Sequence, residues 1–255
     1  MRDLGPSPFN RWRVDRHCVD LVRPVVEPRP VSISAEPQNL TFDLNRTAVI
    51  VVDMQNDFCE PDGWFASKGI DVAPTRRPVP VLQRLLPALR IAGVRIIWLN
   101  WGNRADCLNL NPSVLHAGNS DGAGPGYGDP SRTGRGSVLR LGDWGAQVIN
   151  ALDVDPTDIV VSKHRLSGFW DNELDSVLRN LGITTLMFAG INIDRCLFAT
   201  LMDASFLGYD CLVIEDATST VSPQYVTDAV IFLVRLLYGF TITSSAIVAA
   251  LPAHK

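Results

Sequence analysis

Residues 47–54 read TAVIVVDM, in which 48–52 are an unbroken run of apolar and mostly β-branched side chains with no polar alternation. A strand with one face in water alternates apolar and polar residues. A continuous run of this length is a strand buried on both faces, which requires a parallel sheet covered by helices. The rest of the chain repeats the theme. Strand-like VRIIWLNW, DIVVSKH, TTLMFAGI and DCLVIEDA alternate with helix-like PVPVLQRLLPALRIAG, WGAQVINAL, NELDSVLRNLG, DRCLFATLMDASFLG and PQYVTDAVIFLVRLLYG. A terminal TITSSAIVAAL closes the series. This alternation predicts an α/β fold: a three-layer α/β/α sandwich around a mostly parallel six-stranded sheet.

The 255 residues are 46% hydrophobic, enough for one sizeable core. Residues 1–40, rich in Pro and Arg and without sustained periodicity, read as an N-terminal extension that wraps the domain or reaches a partner subunit, or else as a flexible tail. Residues 41–255 form the expected domain. A formal net charge of -4 without blocks of one sign excludes a nucleic-acid footprint. The charged N-terminus lacks the apolar core of a secretory signal, and Arg235 with a Gly-Phe break interrupts the most apolar late stretch. No membrane partner is therefore expected. Five cysteines without a CxxC pair fit neither a disulfide framework nor a zinc ribbon and suggest a reducing, cytoplasmic setting.

Parallel α/β sheets bind ligands beyond the carboxyl ends of their strands. Three residues of acyl-transfer type stand there: Asp53 after AVIVV, Lys163 after DIVVS, and Cys196 after LMFAGI. Each has a plainer reading, as a turn former, a solvated strand-end residue and a small buried apolar residue respectively. With Asp194 as N-cap, Cys196 falls in the first turn of a helix, where the dipole favours a thiolate. The turn Gly190-Ile191-Asn192 offers backbone N–H groups for an oxyanion beside the sulfur.

Three segments, AVIVVDMQNDF, VVSKHRLSGFWDNELDSVLRNLGI and MFAGINIDRCLFATLMDASFLGYDCLVIEDA, resemble the signature blocks of the isochorismatase-like hydrolases, in the right order over roughly Thr47 to Leu251. SGF after the lysine and LDSVLR on the helix resemble the ureidoacrylate and biuret amidohydrolases of the cysteine-bearing branch. The resemblance implies a catalytic triad of Asp53 (general acid/base), Lys163 and Cys196 (nucleophile). It further implies a cis peptide at Ile191–Asn192 and an oxyanion hole from the amides of Asn192 and Cys196. The segment INIDRC departs from the small residues and Asn-Val common before the cysteine, which puts substrate specificity in question.

The activity so implied is hydrolysis of a C–N bond in a small amide or ureide through a thioester, without cofactor. The alternatives are vinyl-ether hydrolysis of the isochorismatase type and a non-catalytic binding member. The stretch after the second strand holds Asp106 and a lone His116 but no paired-His spacing, so no metal is implied. Phe58, Trp64, Trp101, Asn103, Phe169, Trp170 and Ile191 are candidate substrate contacts near strand ends, while the long Gly-rich segment from Gly102 to Gly136 is a candidate lid or subunit contact. Relatives of this kind are usually homodimers or homotetramers, and the apolar C-terminal helix suits such an interface.

Overall fold

The central strand of the sheet, Thr47–Val52, has every residue buried, as its unbroken apolar run requires. It lies in a computed structural model that describes residues 1–252. The strands are β1 (Arg2–Ser7), β2 (Asn10–Val14), β3 (Val19–Asp20), β4 (Pro30–Ile33), β5 (Leu40–Asp43), β6 (Thr47–Val52), β7 (Arg95–Trp101), β8 (Ile159–Lys163), β9 (Thr185–Ile191), β10 (Asp210–Ser219) and β11 (Phe240–Ile242). The helices are α1 (Asn56–Cys59), α2 (Trp64–Ser67), α3 (Ala73–Arg76), α4 (Val79–Ile91), α5 (Pro112–Gly118), α6 (Leu174–Asn180), α7 (Phe198–Phe206), α8 (Gln224–Leu233) and α9 (Ser244–Ala250).

Six strands form the main sheet in the order β11-β10-β9-β6-β7-β8, with every pairing parallel. From β6 the chain steps outward through β7 and β8, then returns across the sheet to lay β9 on the other side of β6. The reversal of direction falls between β6 and β9, the place where a parallel α/β sheet opens a crevice. Helices α4 and α9 pack together on one face, and α7 runs against β10 on the other. Helix α4 buries Leu82, Leu85, Leu86 and Leu89 at i, i+3, i+4 and i+7. Each such side chain contributes about 1.5–3 kcal/mol of burial, an upper bound set by the extended-chain reference. Among the described residues no helix is long and apolar enough to cross a membrane.

Four segments differ from the sequence expectation. WGAQVINAL forms only a short 3-10 turn, Trp144–Ala146. Its backbone is spent on the segment after β6 instead: Asn56 N donates to Gln147 O at 2.9 Å and Ile149 N to Met54 O at 3.0 Å. Residues 1–40, expected to lack regular structure, form strands. Strands β1, β2 and β3 make an antiparallel sheet, and β4 pairs with β5 across residue 40. TITSSAIVAAL divides into β11 and α9, because the Thr243 side chain caps Ala246 N and starts a helix. The helix expected over PQYVTDAVIFLVRLLYG is regular only from Gln224 to Leu233 and widens over Val234–Tyr238, with Val230 the one buried residue of its regular part.

Gly190 permits the close approach of β9 to β6. Its φ is +100°, and a Cβ there would stand 2.2 Å from Val52 O. A Gly190→Ala variant is expected to lose roughly 3 kcal/mol or more of stability, combining left-handed strain with a backbone clash. Urea denaturation reads this directly, and a loss below about 1 kcal/mol would show that the two strands can part to make room.

Candidate active site

Asp53 leaves β6 in the left-handed region, at φ +50°, a conformation that Asp tolerates better than most residues. Its N–H still bonds Leu99 O at 3.0 Å, and its carbonyl accepts Gln55 N at 2.7 Å, so a tight turn follows at once. The carboxylate is thereby held over the end of β7, where Oδ1 accepts Trp101 N at 3.1 Å. Gln55, fully buried, braces the same spot. Its Oε1 also accepts Trp101 N (2.8 Å) and its Nε2 donates to Trp101 O (2.8 Å) and Ala146 O (2.7 Å).

Lys163, the last residue of β8, is 0% exposed and its Nζ lies 3.0 Å from Asp53 Oδ2. Burial disfavours the ammonium, but the Asp53 carboxylate and the Cys196 sulfur more than offset it, so the lysine is held above its usual range. Asp53 Oδ2 faces this ammonium without a well-aligned hydrogen bond. It is the carboxylate oxygen left available for a proton.

Cys196 completes the cluster from beyond β9. The Ile191–Asn192 peptide bond is cis. A wide turn, Ile193–Leu197, then precedes α7, broken by non-helical φ/ψ at Arg195. The sulfur lies close enough to Asp53 and Lys163 for the charges of both to act on it. Two expectations are corrected here. Asp194 is not the N-cap, because its carboxylate instead accepts Thr220 Oγ1 (2.5 Å) and Ser222 Oγ (2.7 Å) from the chain after β10. Nor is the thiol acidified by a helix dipole: burial first, then the Asp53 carboxylate, push it up to about 12, with Lys163 opposing. At rest the site holds a neutral thiol beside a buried ion pair. Asn192, on the cis bond, sits in the same turn as Cys196, and its side chain is engaged by Val221 N at 3.2 Å.

The candidate contacts separate into two groups. Trp64 and Trp101 are buried at the strand ends, Phe58 packs edge-on against Trp64, and Ile191 is fully buried beneath the cysteine turn. Asn103 is wholly buried and accepts Trp101 Nε1 at 2.6 Å, so it supports the wall from behind. Phe169 and Trp170 do not belong to this cluster. Phe169 packs on Tyr209, the residue before β10, and the exposed Trp170 donates to Asp203 on α7.

Two site-building residues escaped the sequence reading. Tyr127, the one aromatic of the Gly102–Gly136 segment, stacks on Trp101 at 4.9 Å and packs against Trp64 at 5.0 Å. Its hydroxyl is pushed up by burial and by the nearby Cys196 and Asp53. An aromatic alone in a Gly-rich loop was the available signal. Asp57 is buried, with Oδ1 accepting Trp64 N (3.1 Å) and Oδ2 accepting Leu139 N (2.8 Å), which ties the long segment to the turn after β6. Burial raises its carboxyl above the usual range, against those two bonds. Among the described residues no three His, Cys, Asp or Glu side chains converge as a metal site.

The isochorismatase domain model matches residues 47–246. The chain belongs to the isochorismatase family. Among solved structures, a cysteine hydrolase from Pseudomonas syringae pv. phaseolicola is 28% identical over 82% of this chain and 94% of its own, with a TM-score of 0.70. An isochorismatase family protein from Desulfovibrio vulgaris is 27% identical over 79% and 96%, with a TM-score of 0.63. An N-carbamoylsarcosine amidase from Thermoplasma acidophilum, at 24% identity over 78% and 96% and a TM-score of 0.59, shares the fold.

The buried pair makes a sharp energetic prediction for this family member. Lys163→Met strands the Asp53 carboxylate without a partner and is expected to cost about 3–5 kcal/mol in chemical denaturation. Adding Asp53→Asn removes both charges and should restore more than half of that loss. A single-variant cost under about 1 kcal/mol would mean that water reaches the pair.

Proposed function

We propose that the protein is a cysteine-dependent amidohydrolase cleaving a C–N bond of a small amide or ureide. The observation that carries this reading is the convergence of the buried Asp53–Lys163 pair and the Cys196 thiol at three strand ends. Because the thiol is neutral at rest, its proton must leave as the sulfur attacks, and Asp53 Oδ2 is the base in reach. The sulfur bonds to the substrate carbonyl carbon and the carbonyl electron pair moves to oxygen, where backbone amides of Asn192 and Cys196 receive it. As the carbonyl re-forms, the C–N bond breaks and Asp53 returns the proton to the departing nitrogen. Water, deprotonated by Asp53, then cleaves the thioester and restores the thiol. Lys163 keeps positive charge beside a centre that twice becomes negative.

Tyr127, half-buried and backed by Trp64 and Trp101, offers a flat aromatic face that suits a small planar acyl group. The SGF and LDSVLR segments favour ureidoacrylate- or biuret-like substrates within this class. We also read the chain as a homo-oligomer. Tyr225 and Phe232 of α8, with Leu236 and Leu237 just beyond it, expose apolar side chains that a second copy would cover. Sedimentation equilibrium is expected to give a dimer or tetramer, and a monomer at micromolar concentration overturns that reading.

The deciding experiment is ammonia or amine release from ureides, biuret, nicotinamide and aryl amides, with mass spectrometry of acid-quenched enzyme. Turnover should fall by roughly 10⁴-fold or more in Cys196→Ala. The quenched wild type should carry the acyl group on Cys196. Activity retained by Cys196→Ala removes the covalent mechanism and turns attention to vinyl-ether hydrolysis by Asp53 and Lys163.

A further inference from the structure

Lys163 is short of partners for a fully buried ammonium. Apart from Asp53 and Cys196, the nearest acceptor is Arg165 O at 3.4 Å, beyond a good hydrogen bond. The indole of Trp101 stands in its place: Nζ is 4.3 Å from the ring centroid. That is well inside the roughly 6 Å reach of a cation–π contact, whose strength grows when both groups are dry.

The ring is held as a ligand-orienting group is held. Its backbone N–H is bonded by Asp53 and Gln55, and its Nε1 donates to Asn103 Oδ1 at 2.6 Å. Asn103 is itself pinned. Its N–H bonds Leu139 O at 2.8 Å, its carbonyl accepts Leu141 N at 3.0 Å, and its Nδ2 reaches Val138 O at 3.3 Å. Trp101 is 2% exposed and Asn103 0%, so neither is placed mainly to meet a substrate. A buried indole N–H needs an acceptor in any role, and here that acceptor is itself fixed at three points, which sets the angle of the ring over the ammonium.

We infer that Trp101 is a positioning residue whose indole face holds the Lys163 ammonium against Asp53 and Cys196, with Asn103 orienting the indole. The inference rests on the reading that this ammonium supports the Cys196 thiolate. The groups facing the ammonium are Asp53 from the β6 end, Cys196 from beyond β9 and, next along its own chain, His164 and Arg165. Tyr127 faces Asp53 and Cys196 from the long segment. Arg165 is engaged by Asp171 at 3.1 Å. Without the indole face the ammonium is free to turn toward Arg165 O, and its field on the sulfur weakens.

Alkylation of Cys196 by iodoacetamide between pH 6.5 and 9.5 tests this without a substrate. Peptide mass spectrometry separates Cys196 from the other four cysteines. Trp101→Leu should alkylate about five- to ten-fold more slowly than wild type at pH 8, and Trp101→Phe about two-fold more slowly. Asn103→Leu, which keeps the ring but frees its orientation, should fall between them. In a Lys163→Met background, Trp101→Leu should bring no further slowing. A packing role predicts the opposite sign, because a smaller side chain opens the path to the sulfur. Rates equal to or above wild type in Trp101→Phe and Asn103→Leu overturn the inference, even where Trp101→Leu fails to fold. Slowed alkylation together with turnover surviving in Cys196→Ala would instead retire the amidohydrolase reading and leave the positioning role standing.

Discussion

The site depends on one ion pair that water does not reach. Asp53 and Lys163 come from β6 and β8, with β7 between them. Removing two charges from water costs several kcal/mol each, and only close approach with further polar support recovers it. The structure supplies that support from the intervening strand, where Trp101 bonds the carboxylate through its N–H and faces the ammonium with its ring. Gln55 bonds both backbone groups of the same tryptophan. Stability and chemistry thus draw on the same few atoms around the end of β7.

The neutral thiol changes how the cysteine is to be understood. A thiolate resting at a helix terminus would be reactive toward any electrophile that arrived. Burial and the Asp53 carboxylate instead favour the proton on sulfur, and in the proposed mechanism attack begins only as that proton passes to Asp53. The helix dipole matters little here, because Cys196 lies in a wide turn with a break at Arg195 and not in a regular first turn. The unusual Asp194 and Arg195 are absorbed by the neighbouring loop. Asp194 takes hydroxyls from Thr220 and Ser222, and Arg195 Nη2 donates to Ser222 Oγ at 3.2 Å.

The sheet and the strand-end residues were legible because they rest on local, repetitive signals. An all-apolar run such as TAVIVV admits few alternatives to a covered parallel strand, and strand ends follow from it. What was illegible depends on partners distant in sequence. WGAQVINAL has helical spacing, yet its backbone pairs with the turn after β6, about ninety residues earlier in the chain. Tyr127 reaches the site on a segment tied down by distant partners, Trp64 Nε1 on Pro125 O and Asp57 on Leu139 N. Phe169 and Trp170 sit close to Lys163 in sequence, but their side chains are taken up by Tyr209 and Asp203. Strands β1–β3 pair with one another, and their exposed residues show no buried-face periodicity to read.

Strand β8 is one of the two edge strands of the main sheet and carries Lys163 at its tip. An edge strand has a neighbour on one side only and opens at lower free energy than the strands it borders. Asp53 and Cys196 stand instead beyond β6 and β9, in the middle of the sheet. The lysine is therefore attached to the more detachable part of an otherwise deeply embedded cluster. Gentle heating or mild denaturant would unhook the cation while most of the sheet remained intact. Inactivation would then be an early and reversible event, separate from melting, and amide exchange along 159–163 would be its clock.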